Sequence, residues 1–342
     1  MKNKKTIWID ITNVPQVNFM YPIAKHLENS YNVIYSLKDF AETVGLFELK
    51  FDAPAQIIGK HMGKSKIKTV MALGNRIINL QRKIPYFDAS ITIGGDASYI
   101  AKLRGKKAIT FNDNEIAQVW RYSRFSDYAF WPNAVEFEKI VKVGFKRDEI
   151  YMYDGFKEDL YLADYVPNEN FKKDIPFDNF VIVRPENLKA KYVKGENFSI
   201  VPDLIKKLLK ENYNILFLPR YEDDINYISE FKNSNQIYVP KGAIDGLDAC
   251  FYSNAVLTGA GTMAREAACL GIPAISFFAG KDLLTVDKKM INDKLMFFSR
   301  NTDDIMSFLK QSGKRQADIS RSKKVKEEIL NKIDEVLDRF LK

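Results

Sequence analysis

Short runs of β-branched and aromatic residues alternate along the chain with apolar positions at helical spacing, the pattern of parallel strands joined by helices. Residues 6–11 (TIWIDI) predict a strand. A polar turn follows at Thr12-Asn13-Val14-Pro15-Gln16, then a helix through Met20, Ile23, Ala24 and Leu27. Further strands are predicted at 32–36, 90–93, 107–111 and 128–131, with helices near 41–49 and through Ile100 and Leu103. A second series starts with a strand at 180–183 and a helix over 201–211. It continues with strands at 215–218, 236–239 and 255–258, and a helix over 223–232. A small-residue turn at 259–262, a helix at 263–270 and a closing strand at 273–278 complete it.

Residues 166–179 break the pattern, with Pro167, Pro176 and no apolar periodicity, and are expected to be a linker. The organisation is therefore two open, doubly wound α/β domains, 1–165 and 180–317, facing one cleft. Residues 318–342 add a charged amphipathic helix, with Val325, Ile329, Ile333, Val336 and Phe340 on one face, crossing back to the first domain. In such sheets ligands lie beyond the carboxyl ends of the strands.

Composition narrows the function classes. The chain has 342 residues, a size that favours two domains, and no apolar run long enough to span a membrane. Its 52 Lys and Arg against 44 Asp and Glu give a net charge of +8, which suits anionic partners. Basic residues are not interleaved with aromatics along a strand face, so nucleic acid is a poor fit. Cys250 and Cys269 stand in apolar surroundings without CxxC spacing and read as buried thiols in a reducing compartment, which points to the cytoplasm. His26 and His61 lie in no metal-ligand pattern, and no G-x-S-x-G, P-loop or D-x-D motif occurs, which disfavours metal, serine-hydrolase and P-loop chemistry.

The segment AVLTGAGTMAREAACLGIPAISFF at 255–278 carries the most chemistry. A buried strand runs into Gly259-Ala260-Gly261-Thr262 and a helix begins at once, so free backbone N–H groups at the helix start can receive an anion. Thr262 either caps the helix or donates to a phosphate. Glu266, about one turn on, can bind the vicinal hydroxyls of a ribose or stand as a surface acid. Arg184 and Arg220 end strands on the same edge and can clamp a diphosphate, with Lys189 and Lys191 near; Arg220 can equally pair with Glu222. Asp282 and Asp287 after the last strand can contact sugar hydroxyls or simply stand on a solvated loop.

This segment resembles the carboxyl-terminal signature of the GT-B superfamily, through Glu266-Ala267-Ala268-Cys269-Leu270-Gly271-Ile272-Pro273. That superfamily includes the glycosyltransferase that makes lipid II and the UDP-N-acetylglucosamine 2-epimerases. The whole chain is similar to domain-of-unknown-function family 354, on WIDITNVPQV at 8–17, VIVRPE at 181–186, and the run from 259 through AGKDLLTVDK at 279–288. The resemblance implies a GT-B-like fold and a nucleoside-diphosphate sugar, UDP-linked by preference, as substrate with no cofactor. It also implies an acceptor that is a glycan or lipid-linked precursor. Relatives commonly carry His in an N-x-P-H pattern where Gln16 stands, so a base in the first turn, where the chemistry needs one, falls to Asp10. Alternatively the loop, with Asn13 and Gln16, only positions an acceptor or sugar by hydrogen bonds, or Asp10 and Asn13 hold backbone N–H groups of a Pro turn.

Gly94-Gly95-Asp96 and Asn112-Asp113-Asn114-Glu115 resemble the positions at which the 2-epimerases carry an Asp and a Glu that move a proton. Asp96 and Glu115 are the candidate acid and base and Asp113 a substrate contact, although Asp96 and Asp113 can equally cap helices. The His-Arg motif of the epimerases is replaced by Arg184-Pro185-Glu186-Asn187. A glycosyltransferase is the preferred reading, with an epimerase or a non-catalytic nucleotide-sugar binder as alternatives. Residues 60–83 set Lys60, Lys64, Lys66, Lys68, Arg76, Arg82 and Lys83 around Ile67, Val70, Met71, Ile77 and Ile78, a pattern that can lie on the inner face of an anionic membrane or form a core-facing helix.

Overall fold

Strand β1 (Thr6–Ile11) is central in the first sheet, and Ile7 to Ile11 are buried, as a parallel strand covered on both faces requires. The structure, a computed structural model, describes residues 4–40, 42–60, 66–188, 198–242 and 244–342, with the backbone alone over 66–69. After β1 come α1 (Val14–Glu28), β2 (Asn32–Asp39), α2 (Thr43–Lys50), β3 (Ala55–Lys60), α3 (Lys66–Lys83) and β4 (Ala89–Thr92). Then follow α4 (Asp96–Leu103), β5 (Lys107–Phe111), β6 (Tyr128–Pro132), α5 (Phe137–Lys142), β7 (Ile150–Tyr153) and α6 (Lys157–Leu162). The sheet order is β3-β2-β1-β4-β5-β6-β7, all parallel, so the order reverses between β1 and β4. In register, Asp10 of β1 stands level with Ser36 on one side and Thr92 on the other.

One face of this sheet packs Trp8 and Ile58 against Leu80 of α3 and Ala97, Ile100 and Ala101 of α4. Each large side chain buried there contributes about 1.5–3 kcal/mol. Asn13 caps α1 by accepting from the Gln16 amide, and Pro15 occupies the first turn, where no N–H is needed.

The second unit, Asp164–Ile319, contains β8 (Val181–Arg184), α7 (Val201–Lys210), β9 (Ile215–Phe217), β10 (Ile237–Tyr238), α8 (Gly246–Tyr252) and β11 (Ala255–Thr258). It continues with α9 (Gly261–Cys269), β12 (Ala274–Ser276), α10 (Thr285–Asn292), β13 (Phe297–Phe298) and α11 (Thr302–Gln311). Its parallel sheet runs β10-β9-β8-β11-β12-β13 and reverses between β8 and β11, where Arg184 stands level with Thr258. Last in the chain, α12 (Ile319–Leu341) belongs from Ser320 onward to the first unit. There Asp334 bonds His26 at 2.8 Å and Arg321 pairs with Asp159 at 2.9 Å.

Several elements differ from expectation. The strand at 273–278 is shorter and does not close its sheet, because β13 pairs outside it through Ile275 and Phe297. The helix expected over 223–232 is a 3-10 helix at Glu222–Phe231. Residues 166–179 include a 3-10 helix at Glu169–Lys173 with Phe171 buried, and the Asn168 amide donates to Asp248, so this polar stretch packs within the second unit. Among the described residues no helix is long and apolar enough to cross a membrane.

Candidate functional site

Both sheets reverse order where the candidate residues cluster, and each unit holds its own candidate site at that switch point. In the first unit the organising group is Arg76 of α3, 2% exposed. Its guanidinium grips Asp10 through Nη2 to Oδ1 at 2.7 Å and Nη1 to Oδ2 at 3.1 Å. Nη1 also donates to Asp96, and Nε to the Ile58 carbonyl at 2.9 Å. Ser36 Oγ donates to Asp10 and accepts from the Trp8 indole at 2.9 Å. The cluster joins β1, β2, α3 and the start of α4.

Asp10 was expected as a base in the first turn. It is fully buried and both of its oxygens accept from Arg76, so it anchors the guanidinium. Asp96 opens α4 without capping it, and its carboxylate is 18% exposed. Burial pushes the Asp96 carboxyl up, with Arg76 opposing and Asp10 reinforcing the rise. Gln16 is inward-facing: Oε1 accepts from the Thr12 amide at 2.7 Å and Nε2 donates to the Ile93 carbonyl at 2.9 Å. Gln16 therefore ties the first turn to the end of β4, while Asn13 caps α1.

Asp113 follows β5 and pairs with Lys157 of α6 at 2.6 Å. Glu115 lines a pocket of about 180 Å3 with Trp131, Lys139, Ile140, Lys142 and Val143. The two carboxylates expected to move a proton follow adjacent strands but stand in different surroundings, Asp96 among Arg76, Asp10 and Lys38, and Glu115 beside α5.

In the second unit, β11 delivers Gly259 against the end of β8, where its amide donates to the Arg184 carbonyl at 3.0 Å. A methyl group at Gly259 would come within 2.5 Å of the Glu186 Cα, so the glycine serves the packing of two strand ends. Glu186 in turn accepts from the Ile200 amide at 3.1 Å and pairs with Arg300 at 3.0 Å. Gly261 begins α9, and a methyl there would lie 3.0 Å from Arg265 Nη1. Arg265 is buried, donates to Asp287 at 2.8 Å and reaches Thr262 Oγ1 at 3.4 Å.

Asp287, expected on a sugar hydroxyl, is thus buried as the partner of Arg265, whereas Asp282 is exposed. Glu266 is buried, not a surface acid. Burial pushes the Cys250 thiol well up, with the Glu266 and Asp245 carboxylates adding to the rise and Arg184 opposing it. Among the described residues Arg220 makes no ion pair with Glu222; its amide donates to Asp224 at 2.8 Å and its buried Nε has no partner. Lys189 and Lys191 lie outside the described residues. No group of three or more His, Cys, Asp or Glu among the described residues gathers as it would around a metal ion.

Sequence reasoning missed Arg265 and misplaced Arg76. Arg265 sits three positions after Thr262, close enough on a helix to share its first turn, and that spacing was the available signal. For Arg76 there was none, because its partners Asp10 and Asp96 are 66 and 20 residues away.

A family model described as "Protein of unknown function (DUF354)" matches residues 5–339. The chain is 28% identical over 324 residues to an uncharacterized protein of Methanocaldococcus jannaschii, covering 90% of this chain and 92% of that one. In structure it is similar to the UDP-GlcNAc 2-epimerase from Neisseria meningitidis bound to UDP-GlcNAc, with TM-score 0.71, 14% identity, and 96% and 100% of the two chains covered. It is also similar to the glycotransferase of kitacinnamycin, with TM-score 0.61, 8% identity, and 99% and 100% covered. At these identities the likeness is one of fold, and the fold is GT-B.

Proposed function

We propose that this chain, which belongs to the DUF354 family of proteins of unknown function, is a metal-independent glycosyltransferase that uses a nucleoside-diphosphate sugar, UDP-linked by preference. The observation that carries this reading is the anion-ready end of the second unit. There the start of α9 presents backbone N–H groups, Arg265 is fixed beside it by Asp287, and Arg220 keeps a buried, unpartnered Nε. A diphosphate bound there leaves Glu266 for the ribose. In the first unit Asp96, whose carboxyl burial pushes up, takes the proton of an acceptor hydroxyl. The acceptor oxygen then bonds to the anomeric carbon, and the bond to the diphosphate breaks with its electron pair retained by the departing group, stabilised by the arginines.

A 2-epimerase is the second reading, favoured by Asp96 and Glu115 following the adjacent strands β4 and β5. Proton NMR in heavy water with UDP-sugars and no acceptor separates them. The transferase is expected to show saturation transfer to the nucleotide sugar with no deuterium entering sugar C2. Deuterium at C2 that disappears in Asp96→Asn would establish the epimerase instead.

The acceptor in this reading is a cell-surface glycan or its lipid-linked precursor, met by a cytoplasmic protein at the inner face of the membrane. Val70 (69% exposed), Met71 (68%) and Ile78 (51%) form an outer ridge on α3, whereas Ile77 packs inward, and no acid occurs within the helix. Arg82 and Lys83 are exposed at its end and Lys60 pairs with Asp39; Lys64 lies outside the described residues, as do the side chains of Ile67, Lys66 and Lys68. Arg76 is removed from the membrane-facing set, because it points into the protein. Cosedimentation with vesicles containing phosphatidylglycerol is expected to be salt-sensitive and to fall in Val70→Glu/Met71→Glu. Binding indifferent to both changes would remove the membrane from this reading.

A further inference from the structure

The Arg76 cluster leaves one charged group unused. Strand alternation puts Ser36 and Lys38 of β2 on the same face of the sheet. Ser36 bonds Asp10 at the level of the cluster. The pairing of β2 with β3 shifts register between Leu37 and Asp39, and Lys38, two residues further toward the carboxyl edge, interacts electrostatically with Asp96, Arg76 and Asp10. The strand was expected to end at 36; its extension to Asp39 is what carries the lysine there. Lys38 is half-buried, and among the described residues it has no hydrogen bond or ion pair. The charge of Arg76, by contrast, is shared between two carboxylates.

We propose that Lys38 is the substrate-binding cation of the first unit's site and holds a phosphate group of the molecule that reacts there. An ammonium is a compact point charge on a flexible stem, suited to a phosphate arriving from solvent, whereas the guanidinium of Arg76 is locked in place by its carboxylates. The groups around it set its titration. Burial pulls the Lys38 ammonium down, Asp96 and Asp10 oppose that fall, and Arg76 adds to it. The amine is therefore neutral more often than that of an exposed lysine, and a bound phosphate restores its charge.

This inference rests on the reading that the first unit holds the reacting acceptor, but its test uses neither nucleotide nor turnover, so it can fail while nucleotide-sugar binding stands. The full-length protein is treated with pyridoxal phosphate over a range of pH, reduced with borohydride, and mapped by peptide mass spectrometry. A lowered pKa means more neutral amine at any pH below the titration range. Lys38 is accordingly expected to be labelled ahead of exposed lysines near pH 7.5, and to be protected by inorganic phosphate but not by chloride at equal ionic strength. Asp96→Asn removes a charge that favours the ammonium, so labelling of Lys38 is expected to be faster in that variant. Labelling of Lys38 in step with exposed lysines would overturn the proposal. Equal protection by chloride and phosphate would overturn it too, since that is screening and not binding.

Discussion

Replacing Arg76 by methionine is expected to lower the stability of the first unit by about 3–5 kcal/mol, the usual cost of leaving a buried charge without its partner. Methionine fills much of the same volume, so the loss comes from Asp10, which is fully buried and would keep only Ser36 as a partner from this cluster. Arg76→Lys should recover part of it, because an ammonium restores the charge but cannot bridge both Asp10 oxygens and Asp96 as the guanidinium does. The measurement is urea unfolding followed by a probe confined to the first unit, such as the fluorescence of Trp8, which bonds Ser36 in the same cluster. A loss below about 1 kcal/mol for the methionine variant would mean that water replaces the guanidinium, and the anchoring role of Asp10 would be wrong.

Asp96 works in the opposite sense. Its folded carboxyl titrates above the unfolded value, because burial outweighs the attraction of Arg76. A group of this kind contributes stability that is fully present below the unfolded pKa and is lost as pH rises through the folded one. At neutral pH the carboxylate is thus held at some cost, and Arg76 limits that cost without removing it. A group maintained against its own stability at the carboxyl edge of a sheet's switch point fits a working residue better than a structural one. Asp10 and Asp96, equal candidates in the sequence, are separated by this difference in surroundings.

The strands around both switch points were legible because TIWIDI, VIVR and AVLT are continuous apolar or β-branched runs, which parallel strands buried on both faces must be. The edge strands were less so. β13 has two residues, too few for a pattern, and β3 exposes much of its length as an edge strand does, whereas β10, expected over 236–239, is present but only two residues long. The chemistry divided in the same way. The glycine turn, Thr262 and Glu266 are local and could be read from spacing, but the partner of an arginine cannot. On α3 the lysines and Arg76 look alike as basic residues in a row. Only the sheet's geometry, with Asp10 facing Ser36 across β1 and β2, shows that position 76 points inward. Asp287 shows the same limit, since a loop acid and the buried partner of Arg265 have the same spelling.

Arg265→Met is expected to weaken UDP binding by at least about thirtyfold, from about 2 kcal/mol or more for removing one partner of a charged hydrogen bond in a buried site. The guanidinium lies beside the first turn of α9, within 3.4 Å of Thr262, where the helix N-terminus already favours a phosphate. Weaker binding in this variant alone is ambiguous, because the substitution also strands the buried Asp287 and can loosen the turn. The double variant Arg265→Met/Asp287→Leu resolves the ambiguity. Replacing a buried ion pair by apolar residues of similar volume is often neutral or stabilising, so the double variant should unfold at close to the wild-type urea midpoint while its UDP affinity, measured calorimetrically, stays as low as that of the single variant. If UDP binding returned together with stability, Arg265 would act only by supporting the turn. The diphosphate would then have to be held by the α9 amides with Arg184 or Arg220, and Arg220, whose buried Nε has no partner, would be the next residue to replace.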